Sequence, residues 1–465
     1  QAFFRRSPLP RRGHCDLRRV DRSGMNLADV RSWIFPISGV TFLIVYPVAV
    51  LLWTIVENVA QRGDRRRERR GSRCKVLFGK GDECSEVGKG CLPVLAAPRL
   101  WKKATEVKSK GSALLAGAAR MLYPAAVIMW LALRLVVYAL LLAPWFLKIG
   151  YMYARNKRIH RGVRCGPNPR NYVDIYLPSD LEGVQRDGAK KVPVIVAVMG
   201  GAWVIGHRLW SCQLGMRLAQ AGVIVVAVDY RNFPQAHVHE MVEDLGGALD
   251  WVFANIADYG GDVGNVSLIG QSAGAHLSAM LLLERGLAEA ADTTDATPKG
   301  WAVGDLRCFV GVSGVYDLVE LEQHLERRGI YPFINHICAD GDVAACSPVC
   351  LLEEGRWQAA AARMPPVSLY HGGADHSVPP TSTTRFAEAL RTAGLRHVQV
   401  EVRPGIRHAE PVVEDPLRGL DTQVELVLPF VFGAEQSQRL LRALPPLRPT
   451  APRLIVNTAI RIMPF

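Results

Sequence analysis

The sequence predicts an α/β fold, a mostly parallel central sheet with helices on both faces, preceded by N-terminal membrane-associated helices. Three observations carry that expectation. Across residues 171–432, short β-branched runs alternate with amphipathic stretches, and such alternation places parallel strands between covering helices. Two of the runs, 192–198 and 223–228, are almost continuous Val, Ile and Ala, the composition of strands buried on both faces. Upstream, residues 33–56 contain no charge and 121–147 contain only Arg134. Each of these is longer than the roughly 20 apolar residues that cross a bilayer core.

In chain order, residues 1–32 read as a disordered basic N-terminus. Residues 33–56 read as a transmembrane helix, because the apolar region of a signal peptide is shorter, about 7–15 residues. Residues 57–120 are a basic polar connector holding 16 Lys and Arg, with Arg65, Arg66, Arg67, Arg69 and Arg70 almost contiguous. Residues 121–147 read as a second transmembrane or re-entrant segment. A central Arg costs about 2.5–3.5 kcal/mol on insertion scales, which some twenty apolar neighbours outweigh. The alternative is a hairpin of two half-length helices that turns at Arg134. Residues 165–435 form the α/β domain, and 436–465 are a tail of no assigned role.

Within that domain, 172–177 alternates apolar and polar as a half-buried strand does. Helices are expected over 209–220 and 238–259, a strand over 266–269, and a helix over 273–283. Residues 286–306 are rich in Ala, Thr and Asp and read as a surface insertion. Strands follow at 309–312, 367–371 and 398–402, with helices at 380–394 and 423–432.

Charge excludes one class of function. The chain carries a formal +13, but residues 1–170 hold 32 Lys and Arg against 10 Asp and Glu, whereas 171–465 hold 24 against 33. The positive charge therefore flanks the apolar runs, as membrane anchoring requires. It does not form a stripe on a folded domain, so no nucleic-acid partner is expected. The ten cysteines show no C-x-x-C pair and no zinc-type spacing, so no metal or cofactor is expected. They read as thiols in a reducing compartment, although Cys338, Cys346 and Cys350 could pair in an oxidising one.

The chemistry concentrates at Gly270-Gln271-Ser272-Ala273-Gly274, a G-x-S-x-G placed after a strand and before a helix. A sharp strand-to-helix turn needs small residues two before and two after the serine. The helix that follows offers a positive dipole end, the Ala273 N–H, to a developing oxyanion. A serine hydroxyl is a weak nucleophile and needs an adjacent base. In this arrangement the order is Ser, acid, His, which selects Asp375 on the glycine-softened loop after 367–371, and His408 after the last strand. His371 and His376 lie on the acid's own loop, and Asp415 follows the histidine, in the wrong order. The second half of the oxyanion hole is expected from Met199-Gly200-Gly201-Ala202-Trp203, where two glycines free the backbone N–H groups. Gln271 is included as a substrate-binding candidate. Asp229 and its followers read as a loop brace, and Glu243 with Asp244 as a solvated face or a second brace. The nominal glycosylation sequon at Asn265 falls in an expected buried strand and is discounted.

These residues belong to the α/β-hydrolase pattern, and residues 165–435 resemble the isoprenylcysteine α-carbonyl methylesterases. The matching stretches are Gly200-Gly201-Ala202-Trp203, Asp229-Tyr230-Arg231-Asn232-Phe233-Pro234-Gln235, Tyr259-Gly260-Gly261-Asp262, the run from Gly270 to His276, and Asp415-Pro416-Leu417-Arg418-Gly419. Met199 stands where related esterases have the His of a His-Gly-Gly-Gly loop. The resemblance implies hydrolysis of the methyl ester on a C-terminal prenylated cysteine at endoplasmic reticulum and Golgi membranes. Its expected partners are prenylcysteine methyl esters or prenylated protein C-termini, and the lipid bilayer. A catalytic domain facing the cytosol satisfies the basic segments if 121–147 is a re-entrant hairpin. Three alternatives stay open: a general membrane-bound carboxylesterase or arylformamidase with the same triad, a binding module on the same fold, and a lipase capped by residues 317–360.

Overall fold

The computed structural model describes residues 110–179, 191–291, 300–328 and 334–463. The expected N-terminus, the 33–56 span and the connector as far as residue 109 lie outside the described residues. Eight strands form one sheet: β1 Ile159–Arg164, β2 Tyr172–Tyr176, β3 Val192–Val198, β4 Ile224–Val228, β5 Gly261–Gln271, β6 Leu306–Val312, β7 Val367–Gly372 and β8 Val398–Arg403. Their order is β1-β2-β4-β3-β5-β6-β7-β8. β2 runs antiparallel to both β1 and β4, and every pair from β4 to β8 is parallel.

Strand periodicity divides the interior between the two faces of the sheet. Val194, Val196 and Val198 of β3 pack with Val226 of β4 and with helices α3 (Val238–Asn255) and α4 (Ala273–Ala291). Ile195 and Ala197 point the other way, toward Leu218 of α2 (Cys212–Gln220) and Val427 of α8 (Thr422–Phe432). That double cover is why β4 is buried along its whole length and why its sequence shows no alternation. Between β6 and β7 the chain forms a helical cap that includes α5 (Leu318–Arg327) and α6 (Pro348–Glu353), and α7 (Pro380–Thr392) follows β7.

Several elements depart from expectation. α4 runs to Ala291, so the stretch from 286 is helix before it is insertion. Gly286 is there for packing, because a Cβ would come within 3.0 Å of the Ala360 carbonyl. β5 starts five residues early, since Gly261 already pairs with Val192. The tail is not loose: α9 (Ala434–Ala443) and α10 (Arg453–Ile462) follow the helix expected to be last.

The run at 121–147 lies within one uninterrupted helix, α1 (Lys110–Arg155), so there is no hairpin turn at Arg134. The guanidinium that suggested a turn has partners at the far end of the chain. Arg134 donates to the carbonyls of Ile462 at 2.8 Å, Met463 at 3.1 Å and Arg461 at 3.3 Å, closing the open C-terminus of α10. Tyr138, Leu142 and Ile149 join the core on the α8 face of the sheet. The opposite face of α1 carries exposed Met129, Leu133, Val137, Leu140, Leu147 and Tyr151. Residues 129–155 are long and apolar enough to cross a membrane by length and composition.

Candidate active site

In open α/β sheets, ligands sit at the carboxyl ends of strands where the strand order reverses. Here the chain leaves β3 toward β4 on one side and later crosses to β5 on the other. The loops after β3 and β5 therefore face one another, with Val198 and Gly270 in register.

Ser272 occupies the turn between β5 and α4 with φ +52°, a left-handed conformation that a non-glycine residue adopts only under constraint. The constraint is visible: its N–H donates to Val312 O at 2.9 Å. The flanking glycines are required by close approach. A Cβ on Gly274 would lie 2.1 Å from Val198 O, and one on Gly270 2.5 Å from Ala275 Cα. The elbow thus drives the serine side chain out of the sheet plane.

The structure brings the three predicted catalytic side chains together. Ser272 Oγ lies 2.9 Å from His408 Nε2, and His408 Nδ1 lies 2.6 Å from Asp375 Oδ2. An ionised carboxylate only accepts, so Nδ1 carries the proton and Nε2 faces the hydroxyl as an acceptor. Asp375 Oδ1 is held by the N–H groups of Ser377 at 2.8 Å and Val378 at 3.0 Å. Burial pushes the Asp375 carboxyl up. His408 beside it, with hydrogen bonds from His371 and His408, outweighs that and holds it well below the ordinary carboxylate range.

His371 is a brace rather than a rival base. It is fully buried, with Nε2 3.1 Å from Asp375 Oδ2 and 3.2 Å from Val378 O, and Nδ1 2.6 Å from Thr383 Oγ1. Asp415 is occupied elsewhere, by Arg418 Nη2 at 2.5 Å and Thr422 Oγ1 at 2.5 Å.

The loop after β3 carries the other expected contribution, with one correction. Gly200 does not present its N–H to the serine but donates it to Gln271 Oε1 at 3.3 Å. Gly200 and Gln271 therefore lock the two loops to one another. The candidates for oxyanion donation narrow to the N–H groups of Gly201, Ala202 and Ala273, the last opening α4 and lacking an intrahelical partner. Gly201, Ala202 and Trp203 have φ of +141°, +49° and +60°, so this loop also needs external support. Tyr230 Oη donates to Met199 O at 3.0 Å, and Arg170 and Asn232 donate to Gly206 O at 2.6 and 3.0 Å. Arg170 and Arg208 are held by Asp229 at 2.5 and 2.9 Å. Asp229 is thus the expected brace. Asp244 is the second, accepting from Arg231 Nε at 2.8 Å and Asn168 Nδ2 at 2.8 Å, whereas Glu243 is exposed.

One support was not foreseen. The Trp203 indole donates to His276 Nδ1 at 3.0 Å, and His276 Nε2 donates to Cys346 O at 2.7 Å. Burial pushes His276 down to about 4, so it is a neutral relay between loop and cap. His276 stands in the motif around the serine, but nothing in the sequence pairs it with Trp203. Among the described residues no cluster of His, Cys, Asp and Glu is placed to hold a metal ion.

A hydroxyl, a correctly tautomerised imidazole and a fixed carboxylate, between a glycine loop and a helix N-terminus, are the parts that acyl transfer needs. The BD-FAE family profile matches residues 173–390. An isoprenylcysteine α-carbonyl methylesterase of Arabidopsis thaliana is 36% identical, over 72% of this chain and 76% of its own length. Esterase LipQ of Mycobacterium tuberculosis is 32% identical over 53% of this chain and 56% of its own. Among solved structures, esterase B of Lactobacillus rhamnosis superposes with a TM-score of 0.46 at 16% identity, covering 70% of this chain and 97% of that one. The chain is a carboxylic ester hydrolase of the α/β-hydrolase fold and belongs to the isoprenylcysteine α-carbonyl methylesterase family.

Proposed function

We propose that this enzyme hydrolyses the methyl ester on the C-terminal isoprenylated cysteine of proteins or of free prenylcysteines, with Ser272 as nucleophile, His408 as base and Asp375 as the residue that orients it. The hydrogen-bonded line from Ser272 Oγ through His408 to Asp375, in a chain of this family, is the observation that carries the reading. Ser272 Oγ attacks the ester carbonyl while His408 takes its proton. The tetrahedral oxyanion is held by N–H groups of the β3 loop and of Ala273, and His408 returns the proton to the departing methoxide oxygen, which leaves as methanol. Water, activated by the same imidazole, then cleaves the acyl-serine and frees the carboxylate.

The membrane setting follows from the substrate, since a prenyl chain partitions into lipid. We place the enzyme on endoplasmic reticulum and Golgi membranes with its catalytic domain toward the cytosol. The exposed stripe on α1 supports this reading: one helix face is seated on the domain and the other is free to lie in the lipid interface. With 33–56 as the only crossing segment, the connector and the catalytic domain share one side, and their Lys and Arg satisfy the positive-inside tendency together.

Turnover on a panel of farnesylcysteine methyl ester, a short p-nitrophenyl ester and N-formylkynurenine tests the substrate. The farnesylcysteine ester should give the highest kcat/KM. Equal or better turnover of the short ester would replace this reading with a general carboxylesterase, and preference for the formyl amide would make it an arylformamidase.

A further inference from the structure

The cap between β6 and β7 sets two thiols against the helices that flank Ser272. Cys338 and Cys346 are both free and buried, and they hydrogen-bond to one another. Cys346 Sγ lies 3.8 Å from His239 Nε2 on α3, and His239 Nδ1 lies 2.9 Å from Glu284 Oε1 on α4. Sulfur, imidazole and carboxylate stand in line. A cationic imidazole beside a sulfur stabilises the thiolate, which is the reactive form.

The line also opens to water. The side chains of His239 and Glu284 are 47% and 30% exposed, although the sulfurs are not. Hydrogen bonding from Cys338 draws the Cys346 thiol down against the push of burial, with the His239 imidazole adding to the effect. Hydrogen bonds to Cys346 and Glu284 push His239 up to about 10. The Cys338 thiol moves up, chiefly through the same contact with Cys346. One sulfur is thus poised as attacker and its neighbour as the resolving thiol.

Cys346 touches the catalytic machinery through its backbone. Its carbonyl accepts from His276, and His276 accepts from the indole of Trp203. Trp203 belongs to the left-handed stretch that includes Gly201 and Ala202, two of the candidate oxyanion donors. A covalent S–S bond is much shorter than a hydrogen-bonded pair of sulfurs, so linking the thiols must shift the chain at Cys346 and pull its carbonyl away from His276.

We propose that Cys338 and Cys346 form a reversible redox site, oxidised by a hydroperoxide to a disulfide that slackens the oxyanion loop and lowers esterase activity. The Cys346 thiolate attacks one peroxide oxygen and breaks the O–O bond, leaving a sulfenic acid and hydroxide. Cys338 sulfur then attacks Cys346 sulfur and expels the second hydroxide as the S–S bond forms. The protons released by the two cysteines turn both hydroxides into water, so two thiols lose two electrons and hydrogen peroxide gains them. The effect on rate rests on the Ser272 reading, whereas formation of the disulfide does not.

The test uses the full chain in detergent, treated with hydrogen peroxide and then alkylated. Peptide mass spectrometry should find a Cys338–Cys346 link, two hydrogens lighter than the reduced peptide. Hydrolysis of a short p-nitrophenyl ester should fall about tenfold, less than the loss of a whole oxyanion donor, and dithiothreitol should restore it. Cys338→Ala should keep the untreated rate, form no link and leave a sulfenic acid on Cys346 that dimedone captures. Cys350→Ala should behave as the parent. The proposal is overturned if both thiols stay fully alkylatable, if Cys346 pairs with Cys350, or if the link forms with no change in rate. It is equally overturned if Cys338→Ala/Cys346→Ala loses activity to peroxide as the parent does. Should that double variant not fold, the link and the rate in the parent protein decide the matter. Failure of a fluorophosphonate to label Ser272 in the reduced enzyme would count against the catalytic assignment alone.

Discussion

At the scale of single residues, Ser272→Ala should lower turnover by at least about three orders of magnitude, with the unfolding midpoint within a few degrees of the parent. A fluorophosphonate should label the parent at Ser272 alone, and unchanged activity in the variant would end the assignment. Asp375→Asn should be nearly as severe, on the order of 10⁴ in kcat, because an amide favours the wrong histidine tautomer. Asp415→Asn should leave kcat within about tenfold and act on stability instead, since its partners are Arg418 and Thr422 in a buried pair. The reverse ranking in kcat would mean that the other carboxylate orients the base. That Ser272, Asp375 and His408 would meet was legible because each sits at a strand end whose chain order the fold dictates. The residues that brace them were not. His371, His276 and the Trp203 indole act through buried hydrogen bonds to partners distant in sequence or hidden by the fold, and such a histidine leaves no mark in composition or spacing. The bond by which Gln271 locks the two loops was not legible, since which way its amide points is decided by a loop 71 residues away.

Among the elements, α1 is the one whose role changed most between sequence and structure. Arg134 looked like a flaw in a membrane span, because its acceptors lie more than 320 residues downstream. The docking of α1 also depends on pH. Tyr138 donates to Glu414 Oε1 at 2.7 Å, and burial pushes the Glu414 carboxyl up to about 7. A free glutamate titrates near 4.3, so the folded protein holds a proton that the unfolded chain releases above that value. Stability from this group is therefore complete below about pH 4 and is lost as pH rises through about 7. Thermal melts should show the midpoint falling between pH 6 and 8, and Glu414→Gln should flatten that fall. A midpoint that rises over the same interval in the parent would contradict the sign. The sheet itself was readable almost strand by strand, because double burial writes unbroken Val and Ile runs. The two C-terminal helices were missed because the tail around them is rich in Arg and Pro, and they gain their order by packing on α1 and α8.

For the molecule as a whole, the expected outcome is that the protein pellets with membranes and resists extraction by carbonate or high salt. Release by salt alone would mean that neither 33–56 nor the exposed face of α1 reaches hydrocarbon. In sealed microsomes, added protease should reach the hydrolase domain, and protection until detergent is added would place that domain in the lumen. The clasp between Arg134 and the end of α10 bears on how such a protein is made. Synthesis runs at about 5–20 residues per second, and 328 residues separate Arg134 from Ile462. For a time on the order of tens of seconds, the nascent helix has emerged while the carbonyls and the carboxylate that will receive it do not yet exist. Its docking face is then as bare as its opposite face, so the emerging helix presents a wider apolar surface than the finished enzyme displays. The docking face of α1 is thus the last part of the domain to be covered, and it is covered only when the C-terminal turn of α10 reaches Arg134.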